Sequence, residues 1–310
     1  MRPGTHIPPI RILILLVVVV TASGSSMASL PIKKLEKNKV RMFDYDKSRA
    51  FDLKEVSVQR EDGISIRDVN YAAYAPKHGR IKAYVVQPAG KGTFAGILFF
   101  HWLGEVKSDR TEFLEEAVAL AKLGTASVLI QGYFPWLEKP MDGETDHQQI
   151  IDQTIEVRRG LDLLLSQPQV DKRRIGFVGH DYGSMFGSIA SGVDKRVKTY
   201  VMVAGMGTFS DWSLQYWPGP SKKGADVYRD AVKDVDPIAY VGYAAPASLM
   251  FQFANNDKYI SRAVADAFSN AASSPKEVKR YDATHDLHID AARNDRREWL
   301  VQQLRLGSSR

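Results

Sequence analysis

Five residues, Gly179-His180-Asp181-Tyr182-Gly183, constrain the fold of this chain more than any other stretch. An apolar run at 174–178 precedes them and a run of small residues at 183–191 comes after, so a strand turns sharply into a helix. The glycines on either side relieve the clash that a side chain would meet where the backbone doubles back. The residue in the middle of such a turn is pushed out at the carboxyl end of its strand, and here it is Asp181. A carboxylate attacks ester and amide carbonyls poorly, because the product is a reactive anhydride. It displaces well at saturated carbon, giving an alkyl-enzyme ester that activated water then hydrolyses.

Around that turn, strand-like and helix-like segments alternate. Strands are predicted at 53–60, 80–87, 94–101, 126–131, 174–178, 199–203, 247–253 and 276–281 from their Val, Ile and aromatic runs. Helices are predicted at 111–122, 143–167, 183–191, 260–272 and 290–305 from apolar residues at helical spacing. This order predicts the α/β class, with a mostly parallel central sheet covered by helices on both faces. One domain over 53–310 suffices for a 310-residue chain, with a charged arm at 29–52 lying along the surface and a short, loop-rich cap at about 206–245.

The N-terminus carries a different signal. Arg2 and Arg11 precede an apolar run from Ile12 to Val20, and small residues continue up to Ala28. That is the pattern of a secretory signal over residues 1–28, and it predicts a secreted or periplasmic protein with no stable membrane span after cleavage. An uncleaved N-terminal membrane anchor, or a start at Met27, are the alternatives. Removing the segment takes two arginines from a net charge of +6, leaving +4. The remaining basic residues are interspersed with acids, which excludes a nucleic-acid footprint and leaves a small molecule as the expected partner. With no cysteine, the chain has no disulfide, thiolate nucleophile or cysteine-bound zinc. No H-E-x-x-H or comparable run is present, so neither metal nor cofactor is expected.

Reactive groups of such a sheet collect beyond the carboxyl ends of its strands. Asp181 follows the strand at 174–178, Asp257 the strand at 247–253, and His285 the strand at 276–281. Each has a plainer reading. Asp181 could cap the helix after it, Asp257 could be an ordinary acid at a helix start, and His285 competes with His288 and with surface histidines such as His78 and His147. His101 and His180 are expected to pack or hydrogen-bond beside the site. Trp212, Tyr216 and Trp217, in the cap, are candidate substrate contacts, against simple packing on the core.

The G-x-D-x-G turn, with acid and histidine coming after it in that order, resembles the α/β-hydrolase superfamily over nearly all of 53–306. Val170-Asp171 and Asp236-Pro237 are similar to dienelactone hydrolases, and the Asp-type elbow resembles epoxide hydrolases and haloalkane dehalogenases. The resemblance implies Asp181 as nucleophile, His285 as the base that activates water, and Asp257 as its orienting acid. Amides of Tyr182 and of Trp102 or Leu103 would form the oxyanion hole. Tyr182 stands where dehalogenases place a halide-binding Trp, and the cap is shorter than that of epoxide hydrolases. The expectation is an exported hydrolase of a small apolar epoxide or carbon–halogen substrate. A carboxylic ester or lactone hydrolase, and a non-catalytic binding protein of the same fold, are the alternatives.

Overall fold

The computed structural model describes Met1 and residues 34–103, 109–133 and 140–307. The expected signal segment, Met1 apart, lies outside them. Among the described residues nine strands form one sheet: β1 (Lys54–Glu61), β2 (Ile64–Ala72), β3 (Arg80–Pro88), β4 (Phe94–Phe100), β5 (Thr125–Ile130), β6 (Val170–His180), β7 (Thr199–Val203), β8 (Ser248–Ala254) and β9 (Lys276–Tyr281). Their spatial order is β1-β2-β3-β5-β4-β6-β7-β8-β9. The first three and β5 pair antiparallel; from β5 through β9 every pairing is parallel.

The central strands read as unbroken apolar runs because both of their faces are buried. Leu98 and Phe100 of β4 join a core with Phe177 and Met202, under the helices Gly143–Leu165 and Tyr182–Val193. Ile97 and Phe99, pointing the other way, join Val178 and Val201 under Leu114–Ala121 and Asp290–Leu304. Helices thus cover both faces, as the alternation predicts.

Three expectations need correction. β2 is absent from the predicted strands, although Asp62-Gly63 before it is a hairpin signal; both residues have positive φ, at 50° and 72°, as a tight turn between antiparallel strands requires. The cap is helical in place of the expected loop-rich cover, with helices at Phe209–Tyr216, Ala225–Val232 and Ile238–Val241. Residues 34–52 are more than a surface arm. Phe43 is fully buried against Tyr240, and the Phe43 carbonyl accepts a hydrogen bond from the buried Arg158 at 2.5 Å.

Candidate active site

The turn after β6 is held by close backbone contacts. A Cβ on Gly183 would lie 2.2 Å from the Phe100 carbonyl oxygen, and one on Gly179 would lie 2.3 Å from that of Gly183. No side chain fits at either place. Asp181 has φ of 51°, a left-handed conformation that costs a non-glycine residue about 1–3 kcal/mol. Its N–H donates to the Val203 carbonyl at 2.8 Å. Its carboxylate makes no capping bond to the helix after it, so the plainer reading of Asp181 does not describe its contacts.

The carboxylate is buried, 1% exposed. Oδ2 accepts the Leu103 N–H at 3.2 Å, and the Tyr182 amide adds to the favourable field. Oδ1 has no hydrogen-bond partner and faces His285 Nε2, also without one, at 3.9 Å. Burial pushes the Asp181 carboxyl from 3.8 up to about 6, against the pull of His285, His180 and the two amides.

Behind His285 the network closes. Its Nδ1 lies 2.7 Å from Asp257 Oδ2. The other Asp257 oxygen accepts the N–H groups of Tyr259 at 2.8 Å and Ile260 at 3.0 Å, which fixes the carboxylate in place. Burial alone would raise the Asp257 pKa, but the hydrogen bond and charge of His285 bring it below its ordinary value. For His285, burial works downward and is outweighed by the Asp257 hydrogen bond and the charges of Asp181 and Asp257, so its pKa rises. With Nδ1–H donating to Asp257, the neutral ring presents the Nε2 lone pair towards Asp181. The structure therefore brings Asp181, His285 and Asp257 into one line.

Of the amides expected around the oxyanion, one is engaged elsewhere. The Trp102 N–H donates to Glu112 Oε2 at 2.8 Å, so the amides at the Asp181 carboxylate are those of Leu103 and Tyr182. Trp102 contributes its ring instead, stacked on His180 with centroids 5.0 Å apart and planes 2° from parallel. A cleft of about 750 Å³ opens over the site, lined by Trp102, Leu103 and His285 together with Trp212, Tyr216 and Trp217. All three expected cap aromatics thus face it. Gly104, next to Leu103, lies outside the described residues.

Sequence reasoning missed Glu112. It is buried beneath Trp102, and its Oε1 lies 2.6 Å from His180 Nδ1 and 3.5 Å from His288 Nε2. Burial would raise its pKa, but the His180 charge and the hydrogen bonds from His180 and His288 bring it to about 2. His180 Nε2 in turn donates to the His285 carbonyl at 3.2 Å. His101 is buried, with Nδ1 2.8 Å from the Trp102 carbonyl and Nε2 accepting the Gly132 N–H at 2.9 Å. Both are packed and hydrogen-bonded beside the site, as expected. His78 stacks on Tyr133, with ring centroids 3.5 Å apart.

No protein-family profile and no curated protein sequence matches this chain. Its structure is similar to that of an acetyl xylan esterase from Paenibacillus, with 18% identity, a TM-score of 0.69, and coverage of 86% of this chain and 92% of that one. Acetyl xylan esterase 1 from Thermoanaerobacterium is 13% identical with a TM-score of 0.68 and the same two coverages. A candidate dienelactone hydrolase from Klebsiella pneumoniae is 13% identical with a TM-score of 0.53, over 79% of this chain and 99% of that one. A sheet of this order, a strained turn after β6, and an acid and a histidine after the last two strands make this an α/β-hydrolase fold.

Proposed function

We propose that the chain hydrolyses a small molecule through Asp181, with His285 as the base for water and Asp257 holding the imidazole. The observation that carries this is the 3.9 Å separation of Asp181 Oδ1 and His285 Nε2, two buried polar atoms that face each other without a hydrogen bond. That span is too wide for a direct bond and suits a reacting oxygen held by both groups. A non-catalytic binding protein would have no use for such an arrangement.

The esterase and dienelactone hydrolase likenesses support a carboxylic ester or lactone as the substrate. In that chemistry Asp181 holds a water by hydrogen bond, and His285 Nε2 takes one proton from it as its oxygen attacks the substrate carbonyl. The tetrahedral intermediate then expels the alcohol, which is reprotonated from His285. A second reading rests on a different observation, the Asp181 oxygen already seated at the Leu103 amide. A carboxylate placed there leaves its other oxygen to displace a halide or open an epoxide at saturated carbon. Water activated by His285 then attacks the Asp181 carboxyl carbon, and the charge that develops on Oδ2 meets amides already in position. An apolar, aromatic cleft suits small substrates of either class.

One turnover in heavy-oxygen water separates the two, after a panel of lactones, short esters, epoxides and haloalkanes has identified a substrate. Label in the product acid alone supports attack on the substrate carbonyl. Label in the peptide containing Asp181 supports the alkyl-enzyme. Full activity in both Asp181→Asn and His285→Gln proteins would remove the proposal in either form.

A further inference from the structure

We propose that Glu112, His180 and His288 form a binding site for one transition-metal dication of the zinc class, beside the catalytic line and separate from it. The three donors come from distant parts of the chain. Glu112 precedes the helix Leu114–Ala121, His180 ends β6, and His288 lies beyond β9. Their ligand atoms nonetheless lie within 4.8 Å of one another. Glu112 Oε1 is central, 2.6 Å from His180 Nδ1 and 3.5 Å from His288 Nε2. Donors about 2.0–2.2 Å from a tetrahedral metal sit roughly 3.3–3.5 Å apart. The Glu112–His288 pair already has that spacing, and the Glu112–His180 pair needs to open by less than about 1 Å.

The surroundings resemble an outer shell of supporting hydrogen bonds. His180 Nε2 donates to the His285 carbonyl at 3.2 Å, which fixes the ring and turns Nδ1 towards Glu112. Both ring nitrogens of His180 therefore face oxygen acceptors, and at Nδ1 either a proton or a metal ion satisfies the arrangement. Glu112 Oε2 accepts the Trp102 N–H at 2.8 Å, so Oε1 is the oxygen turned towards the two imidazoles. Metal-binding histidines and carboxylates are commonly oriented in this way. Two imidazoles and one carboxylate favour zinc, cobalt or nickel over magnesium or calcium, which prefer all-oxygen sites.

Access is also provided. Glu112 and His180 are each 1% exposed, whereas the His288 side chain is 36% exposed and lines the cleft. An ion can enter past His288 and keep a water on its open side. Bound there, it would tie the segment after β9, which carries His285, to the turn that carries Asp181. The proposal does not depend on which substrate the cleft takes.

Tag-free protein, stripped with chelator, is titrated with Co²⁺ and monitored by visible absorption and calorimetry, then with Zn²⁺ in competition. The expected result is one ion per chain, displaced by Zn²⁺. Zn²⁺ should also raise the melting temperature of the wild type. His288→Ala, a change at a partly exposed side chain, should weaken Co²⁺ binding by at least ~10-fold, since loss of a supporting hydrogen bond alone costs that much. It should also remove the melting shift, and Glu112→Gln should do the same. If the wild type takes up no Co²⁺, or if His288→Ala binds it as tightly as wild type, the three residues are a hydrogen-bonded group only and the proposal is wrong.

Discussion

Asp181→Asn should make the protein more stable at neutral pH while stopping turnover. Asn is the same size and uncharged; its carbonyl oxygen can take the Leu103 N–H, and its amide occupies the place of Oδ1, which has no hydrogen-bond partner in the wild type, so no partner is lost. The magnitude comes from burial of the charge. A carboxyl moved from 3.8 to about 6 corresponds to ~3 kcal/mol between ionised and protonated forms, at about 1.4 kcal/mol per tenfold change. The sign is set by where protons bind. Below about pH 4 the carboxyl is protonated in folded and unfolded chains alike, and the substitution changes little. Between about pH 4 and 6 the unfolded chain has released its proton while the folded one retains it, so wild-type stability falls as pH rises. Above about 6 the full cost is present. Urea unfolding of both proteins at pH 4 and pH 8 should show near-equal stabilities at the first and a gap of ~3 kcal/mol at the second. In thermal unfolding the pH 8 gap should be roughly 6–12 °C. A gap of the same size at both pH values, or an Asn protein that is less stable at pH 8, would refute the reasoning.

Three other outcomes are expected from the same geometry. Asp257→Asn removes the charge that holds the His285 tautomer and should lower kcat by about 10⁴ with little change in KM, checked by steady-state kinetics on any substrate found. The attacking or water-activating carboxylate must be ionised, so kcat/KM should fall as pH drops through about 6; a profile flat to pH 4 would show that Asp181 is not the group. Gly183→Ala places a methyl 2.2 Å from the Phe100 carbonyl oxygen, a backbone atom with little room to move. It should destabilise the fold by about 3 kcal/mol, at the upper end of overpacking costs, read as a lowered urea midpoint.

Much of this was legible in the linear sequence. Asp181, Asp257 and His285 each come within a few residues of the end of a predicted strand, and a parallel sheet gathers the loops beyond its strand ends along one edge. The order of residues therefore carried the order in space. Glu112 was not legible, because it lies in a polar segment 68 residues from His180 and has no motif around it. Its role comes from burial, which periodicity does not report at a helix start. The same holds for the Trp102 amide: sequence placed it near the hole, but only the position of Glu112 decides where its N–H points. The cap misled for a local reason. Pro218-Gly219-Pro220 reads as loop, yet those residues separate helices whose apolar sides, Trp212 and Tyr228 among them, are buried. β2 was overlooked because Arg67, Asp68 and Asn70 dilute its apolar run, although Asp62-Gly63 announces the turn.

The seat of the Asp181 oxygen at the Leu103 amide also bears on how such proteins are found. Boronic acids and organophosphonates label hydrolases by bonding to a serine alcohol while an oxygen of the reagent enters the oxyanion hole. Here the elbow carries a carboxylate where those reagents need an alcohol, and an oxygen of that carboxylate already takes the Leu103 amide. If the protein acts as proposed, surveys that identify hydrolases by their reaction with such reagents would pass over it. Carbodiimides or epoxides, which react with carboxylates, are the reagents that this site should report to.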